Sequence, residues 1–143
     1  MNDLEFVDTH VHLWDLYNEK VSYDWLKPDV KEPRFGPDFQ DLKKDYLAGN
    51  FLSDSVNSNV TKVVHVQAAL GTADPVEETA WIQSEFERSG IPQAAVVYLD
   101  LSLPSAENEL NRHLEHPVTS GVRDFYAADK LDDPSYQIGF SLL

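Results

Sequence analysis

From Phe6 to His12 the chain alternates β-branched Val7, Thr9 and Val11 with Phe6, Asp8, His10 and His12. That period of two predicts a strand, and side chains two apart on a strand share a face. His10 and His12 therefore project together, with Asp8 one step behind them. The run Lys62-Val63-Val64-His65-Val66-Gln67-Ala68 is almost continuously apolar, as in a parallel strand buried on both faces. Ala94 to Leu99 predicts a third strand, and Gly121-Val122-Arg123 a short fourth.

Helical patterns lie between them. Phe39 to Ala48 reads as a short helical stretch, and Phe51 to Ser58 as the short helix before strand two. Asp74-Pro75-Val76-Glu77 opens the next helix with an N-cap Asp, a Pro at the first position and a Glu in capping-box position. Ala80, Trp81 and Phe86 give that helix an apolar face, and Gly90 ends it. Ser105 to Leu114 is a third helix, with Ala106, Leu110 and Leu114 on one side, and Asp133-Pro134 begins a fourth. Four strand–helix units in succession imply parallel strands with right-handed crossovers, an α/β fold.

This pattern gives the chemistry-bearing residues places. Two imidazoles at the carboxyl end of a strand are a reasonable pair of divalent-metal ligands, and that end of a parallel sheet is where ligands bind. The alternative is a structural or surface pair. Gln67 ends strand two beside them, as a substrate contact or a strand cap. His65, deeper on the same strand, reads as a satisfied core histidine. Arg123 ends strand four, where its planar fork suits a carboxylate. Its alternative is an ion pair with Asp124. The long loop from Leu13 to Asp38 carries Trp14, Tyr17, Tyr23, Trp25 and Phe35, which either wall a pocket or pack the loop down. Glu77 and Glu78 read as a solvated first turn, Asp100 as a cap, and His113 and His116 as helix-end residues remote from the site.

The chain has 143 residues, enough for one domain with a core, and its formal charge is −14. Such a charge argues against nucleic acid or an anionic membrane surface as partner, and it makes the few basic residues near the site more informative. There is no cysteine, so disulfides, thiolate metal sites and a cysteine nucleophile are excluded. No apolar run is long enough to span a bilayer and the start does not read as a signal peptide, so the expectation is a cytoplasmic protein.

Phe6-Val7-Asp8-Thr9-His10-Val11-His12-Leu13-Trp14-Asp15 resembles the opening of the amidohydrolase superfamily. More narrowly, it is similar to the amidohydrolase-related (amidohydrolase 2) branch of sugar-lactone and dicarboxylate-lactone hydrolases. Val63 to Ala68, Glu77 to Trp81, Leu99-Asp100-Leu101 and Gly121-Val122-Arg123 fit the same branch in the same order. The resemblance implies the N-terminal half of a TIM (β/α)8 barrel, with residues 1–143 a partial domain ending before strand five. It implies His10 and His12 as ligands of zinc or manganese. It also implies Gln67, Arg123, Trp14 and Tyr23 as contacts to a lactone or carboxylic acid. A further histidine and the aspartate that activates water would lie in the missing half, so little hydrolysis is expected from this chain alone, and metal binding by it is expected to be weak or absent. Its open sheet edges predict self-association or a complementary C-terminal half. Two other readings stand beside this one: a non-catalytic half-barrel that binds a small acid or pairs with a second chain, and a plain α/β domain with structural histidines.

Overall fold

The computed structural model describes residues 4–143. Four strands form one parallel sheet in the order β1 (Phe6–Val11), β2 (Val60–Val66), β3 (Ala94–Tyr98) and β4 (Thr119–Arg123). Parallel neighbours cannot be joined by a tight turn, so each pair is linked by a crossover. The helices are α1 (Ala48–Asp54), α2 (Val76–Ser89), α3 (Ala106–Leu114) and, after the last strand, α4 (Pro134–Phe140). The α/β order expected from the sequence is present. The stretch from Phe39 to Ala48 differs: a 3-10 helix covers Pro37–Leu42, and α1 starts at Ala48, earlier than its pattern suggests. Pro37 at the front of that 3-10 helix favours a tight first turn.

The helix starts and stops follow local chemistry. Asp74 Oδ1 accepts the Val76 N–H, and Asp133 Oδ1 accepts the Ser135 N–H ahead of α4. Gly90 closes α2 with φ +81°, a left-handed conformation that glycine adopts without strain.

Strand alternation divides the sheet into a helix side and an open side. On β3, Ala95, Val97 and the following Leu99 are buried toward the helices, whereas Ala94, Val96 and Tyr98 are half-buried on the other face. The main core lies on the helix side, where Val11, Leu13, Val63 and Val97 meet Phe51 and Ile82. A second cluster packs the long loop onto the carboxyl ends of the strands through Trp14, Val21, Tyr23, Leu26 and Phe39. A third sits under α3 and α4 around Leu99, Leu101 and Tyr136. Here Gly139 comes so close to the Leu101 carbonyl that a Cβ would overlap it.

Phe6 and Val7 on the β1 edge, and Phe125, Tyr126, Ile138 and Phe140 beyond β4, remain exposed. β1 and β4 are the sheet's outer strands, as the half-barrel expectation requires. Among the described residues no helix is long and apolar enough to cross a membrane.

Candidate active site

The register of β1 against β2 shifts between Asp8 and Val11, the signature of a bulge. Asp8 Oδ1 accepts the His10 N–H at 3.1 Å. Asp8 thus shapes the strand end behind the two imidazoles. His10 is exposed and His12 half-buried, and their Nε2 atoms meet at 3.2 Å with ring centroids 4.9 Å apart.

The tautomer of His12 is fixed by its other nitrogen. Nδ1 lies 2.7 Å from the Val66 carbonyl oxygen. A carbonyl only accepts, so Nδ1 carries the proton and Nε2 presents a lone pair. Burial pushes the His12 pKa below its ordinary value, partly offset by the Val66 carbonyl and reinforced by neighbouring His65, His10 and Arg123. A neutral imidazole with an outward lone pair and an anchored N–H is the state in which histidine binds metal. Two nitrogens bound to one tetrahedral zinc at about 2.0–2.1 Å stand roughly 3.3 Å apart, close to the separation seen. The pair therefore fits two positions of a divalent-metal shell. Among the described residues no third His, Cys, Asp or Glu completes such a group.

The carboxyl ends of the strands also frame a cavity of about 270 Å³. His12, Gln67 and Arg123 reach it from β1, β2 and β4. Trp14, Trp25, Phe35, Leu42, Leu70 and Phe125 supply apolar wall. Trp14 and Trp25 meet edge to face at 5.5 Å, and Phe35 lies 6.0 Å from Trp25. Both indole N–H groups are engaged, Trp14 on the Lys44 carbonyl at 2.6 Å and Trp25 on the Ala68 carbonyl at 2.8 Å. The rings therefore offer the cavity only their apolar surface.

Arg123 donates Nη1–H to the Gln67 carbonyl at 3.0 Å and places its guanidinium 5.2 Å from the Phe125 ring centroid. The ion pair with Asp124 does not form. Lys130 takes Asp124 at 2.8 Å and Asp100 at 2.6 Å, and among the described residues no carboxylate forms a salt bridge with Arg123. Asp100 also accepts the Ser102 N–H, a structural role as the sequence suggests. Gln67 is buried, and its Nε2 donates to the Ala69 carbonyl, which leaves Oε1 without a donor. Tyr23 is not in the cavity wall. It packs in the loop cluster beside Leu70, with its hydroxyl buried and unpartnered, because the loop folds its ring inward.

Glu78 was misread from the sequence, and Glu85 was not singled out there. Glu78 is 5% exposed, and its Oε1 accepts the N–H groups of Ala68 at 2.8 Å and Ala69 at 2.9 Å. It also faces His65 Nε2 at 3.3 Å, while His65 Nδ1 accepts the Leu13 N–H. His65 is thus the satisfied core histidine expected. Glu78, far from being solvated, holds the loop after β2 that anchors Trp25. Glu85, also buried, accepts the Ala48 N–H at the start of α1. The signal was available, since Glu78, Ile82 and Glu85 stand at i, i+4 and i+7, one stripe of a helix. Glu32 and Arg34, which line the cavity and bind each other with two hydrogen bonds at 2.7 and 2.8 Å, carried no recognisable pattern.

This architecture has counterparts among solved proteins. An amidohydrolase from Burkholderia multivorans, solved with bound HEPES and again with bound zinc, superposes on 95% of this chain with TM-scores of 0.68 and 0.65 at 20% identity. The chain covers 44% of that protein, and its α/β fold matches half of a TIM barrel. In sequence, an uncharacterised protein of Sinorhizobium fredii, y4mH, is 36% identical over 123 residues, which are 86% of this chain and 40% of y4mH. The chain spans less than half the length of each of these proteins. No family model matches it.

Proposed function

We propose that these residues form the N-terminal half of a metal-assisted hydrolase of the amidohydrolase superfamily, acting on a lactone. The observation that carries this reading is the convergence of His10 and His12 Nε2 at 3.2 Å, with His12 held in its metal-binding tautomer by Val66. The zinc of the B. multivorans amidohydrolase, a protein of the same fold, supports a divalent ion. His10 and His12 would hold it, and a bound zinc or manganese supplies Lewis acidity and a more acidic water.

The chain's own residues would bind and shield the substrate. Arg123 grips an anionic or carbonyl oxygen of the substrate beside His12, and the aromatic loop shields the acyl group from bulk water. Apart from His12, which would hold the metal, the one further candidate base among the lining residues is Glu32, and Arg34 engages it. The base and the remaining metal ligands would come from the complementary C-terminal half, and the chain alone is expected to hydrolyse little. That same lack favours a second reading, a half-barrel that binds a small acid and pairs with a second chain.

Zinc titration of the chain by calorimetry tests the metal role. Wild type should bind one zinc weakly, and His10→Ala and His12→Ala should each weaken it by at least ~10-fold. Unchanged affinity in both variants would remove the metal pair. Addition of a separately produced C-terminal half separates the two readings, since lactone hydrolysis should then appear for the enzyme and not for the binding module.

A further inference from the structure

The cavity's polar groups are nearly all engaged by the protein itself. The Trp14 and Trp25 N–H groups bind backbone carbonyls, Gln67 Nε2 binds Ala69, and Arg34 and Glu32 neutralise one another. What remains is one cation, Arg123, and two acceptors, His12 Nε2 and the unpartnered Gln67 Oε1, facing a wall of Trp14, Trp25, Phe35 and Phe125. The exposed outer strands do not offer an equivalent site, because nothing there combines charge with enclosure.

From this division we infer that the site selects a ligand with one carboxylate on a flat, apolar body, as on a lactone that also bears a carboxylate, and disfavours a polyhydroxylated sugar acid. This deepens the proposed function and rests on it only for the chemistry that follows binding. The carboxylate pairs with Arg123, whose guanidinium has donors left after one N–H goes to the Gln67 carbonyl. The planar body lies against the indole and phenyl surfaces. A sugar acid carries more hydroxyls than Gln67 Oε1 and His12 Nε2 can accept, so the rest would lie against rings that cannot bond them, and each unpaired hydroxyl opposes binding. The volume of about 270 Å³ sits at the lower edge of small-molecule pockets, roughly 300–1,000 Å³, so the ligand is of one or two rings.

The test compares 2-naphthoate with gluconate, which have equal charge and similar size, by calorimetry on the full chain. Naphthoate should bind at least ~10-fold more tightly than gluconate. The indole N–H resonances of Trp14 and Trp25 should shift in NMR spectra, and that of Trp81, on α2, should not. Arg123→Gln should weaken naphthoate by ~10-fold or more. Phe35→Ala, on the exposed loop, should weaken naphthoate by a few-fold and leave gluconate unchanged, which keeps the test valid if the arginine variant misfolds. Gluconate equal to or tighter than naphthoate, or naphthoate binding that ignores both variants, overturns the inference. Zinc titration of the same samples separates the two ideas. Loss of the zinc site with naphthoate still held by Arg123 defeats the metal reading alone. Zinc bound as expected with no naphthoate preference defeats this inference alone.

Discussion

Glu78 is the buried acid on which the site's floor depends. Its Oε1 faces three donors, the N–H groups of Ala68 and Ala69 and His65 Nε2. Replacing it with alanine leaves all three without an acceptor. Each orphaned buried donor costs about 1–3 kcal/mol, and some of that is recovered where water enters. A loss of about 3–6 kcal/mol follows, a large share of the roughly 5–15 kcal/mol that holds a domain folded. At roughly 2–4 °C per kcal/mol, Tm should fall by about 6–24 °C. Glu78→Gln keeps an oxygen that accepts the two backbone donors and loses only the charge, so it should cost about 1–2 kcal/mol. Urea unfolding followed by tryptophan fluorescence measures both. The Trp25 N–H resonance, which depends on the Ala68 carbonyl, should broaden or shift in the alanine variant. If the two variants agree within ~0.5 kcal/mol, or alanine costs under ~1 kcal/mol, Glu78 is not the anchor described.

Other perturbations test other links. His113 is fully buried with Nδ1 2.8 Å from Thr79 Oγ1, and burial pushes its pKa down to about 4. The unfolded chain therefore binds the proton more readily, so this contribution is complete above about pH 6.5 and is lost as pH falls toward 4. About 2 kcal/mol should go between pH 7 and 5, and His113→Asn should flatten that part of the urea-midpoint profile; an unchanged slope would count against it. Gly139→Ala pushes a Cβ into the Leu101 backbone and should destabilise by about 1–3 kcal/mol, with α4 losing amide protection first in hydrogen exchange. Gly49→Ala, in α1 with open space around it, should stabilise by up to ~1 kcal/mol in the same urea assay.

Much of the fold was legible because periodicity reports burial. Val63 to Val66 and Ala94 to Leu99 are apolar where helices cover them, and Asp74, Gly90 and Asp133 mark helix ends by local hydrogen bonding and backbone freedom alone. The His10–His12 pair was legible for the same reason, since a strand puts alternate residues on one face. The role of Asp8 was not, because a bulge breaks that alternation and nothing local announces it. Glu78 was misplaced, and of the two roles open to Tyr23 the structure shows the packing one. A first-turn glutamate usually faces water, and only donors on another segment draw this one inward. A loop aromatic usually has a choice of faces, and contacts with residues distant in sequence decide it. Arg34 and Glu32 reach the cavity only because the long loop folds over it, which spacing does not encode.

The central claim is that His10 and His12 together bind a divalent metal. X-ray absorption of the zinc-loaded chain tests it at the atoms concerned. The account predicts two imidazole nitrogens at about 2.0–2.1 Å per zinc, falling to one in either His10→Ala or His12→Ala. A zinc shell with no imidazole, or one that His12→Ala leaves unchanged, would contradict it.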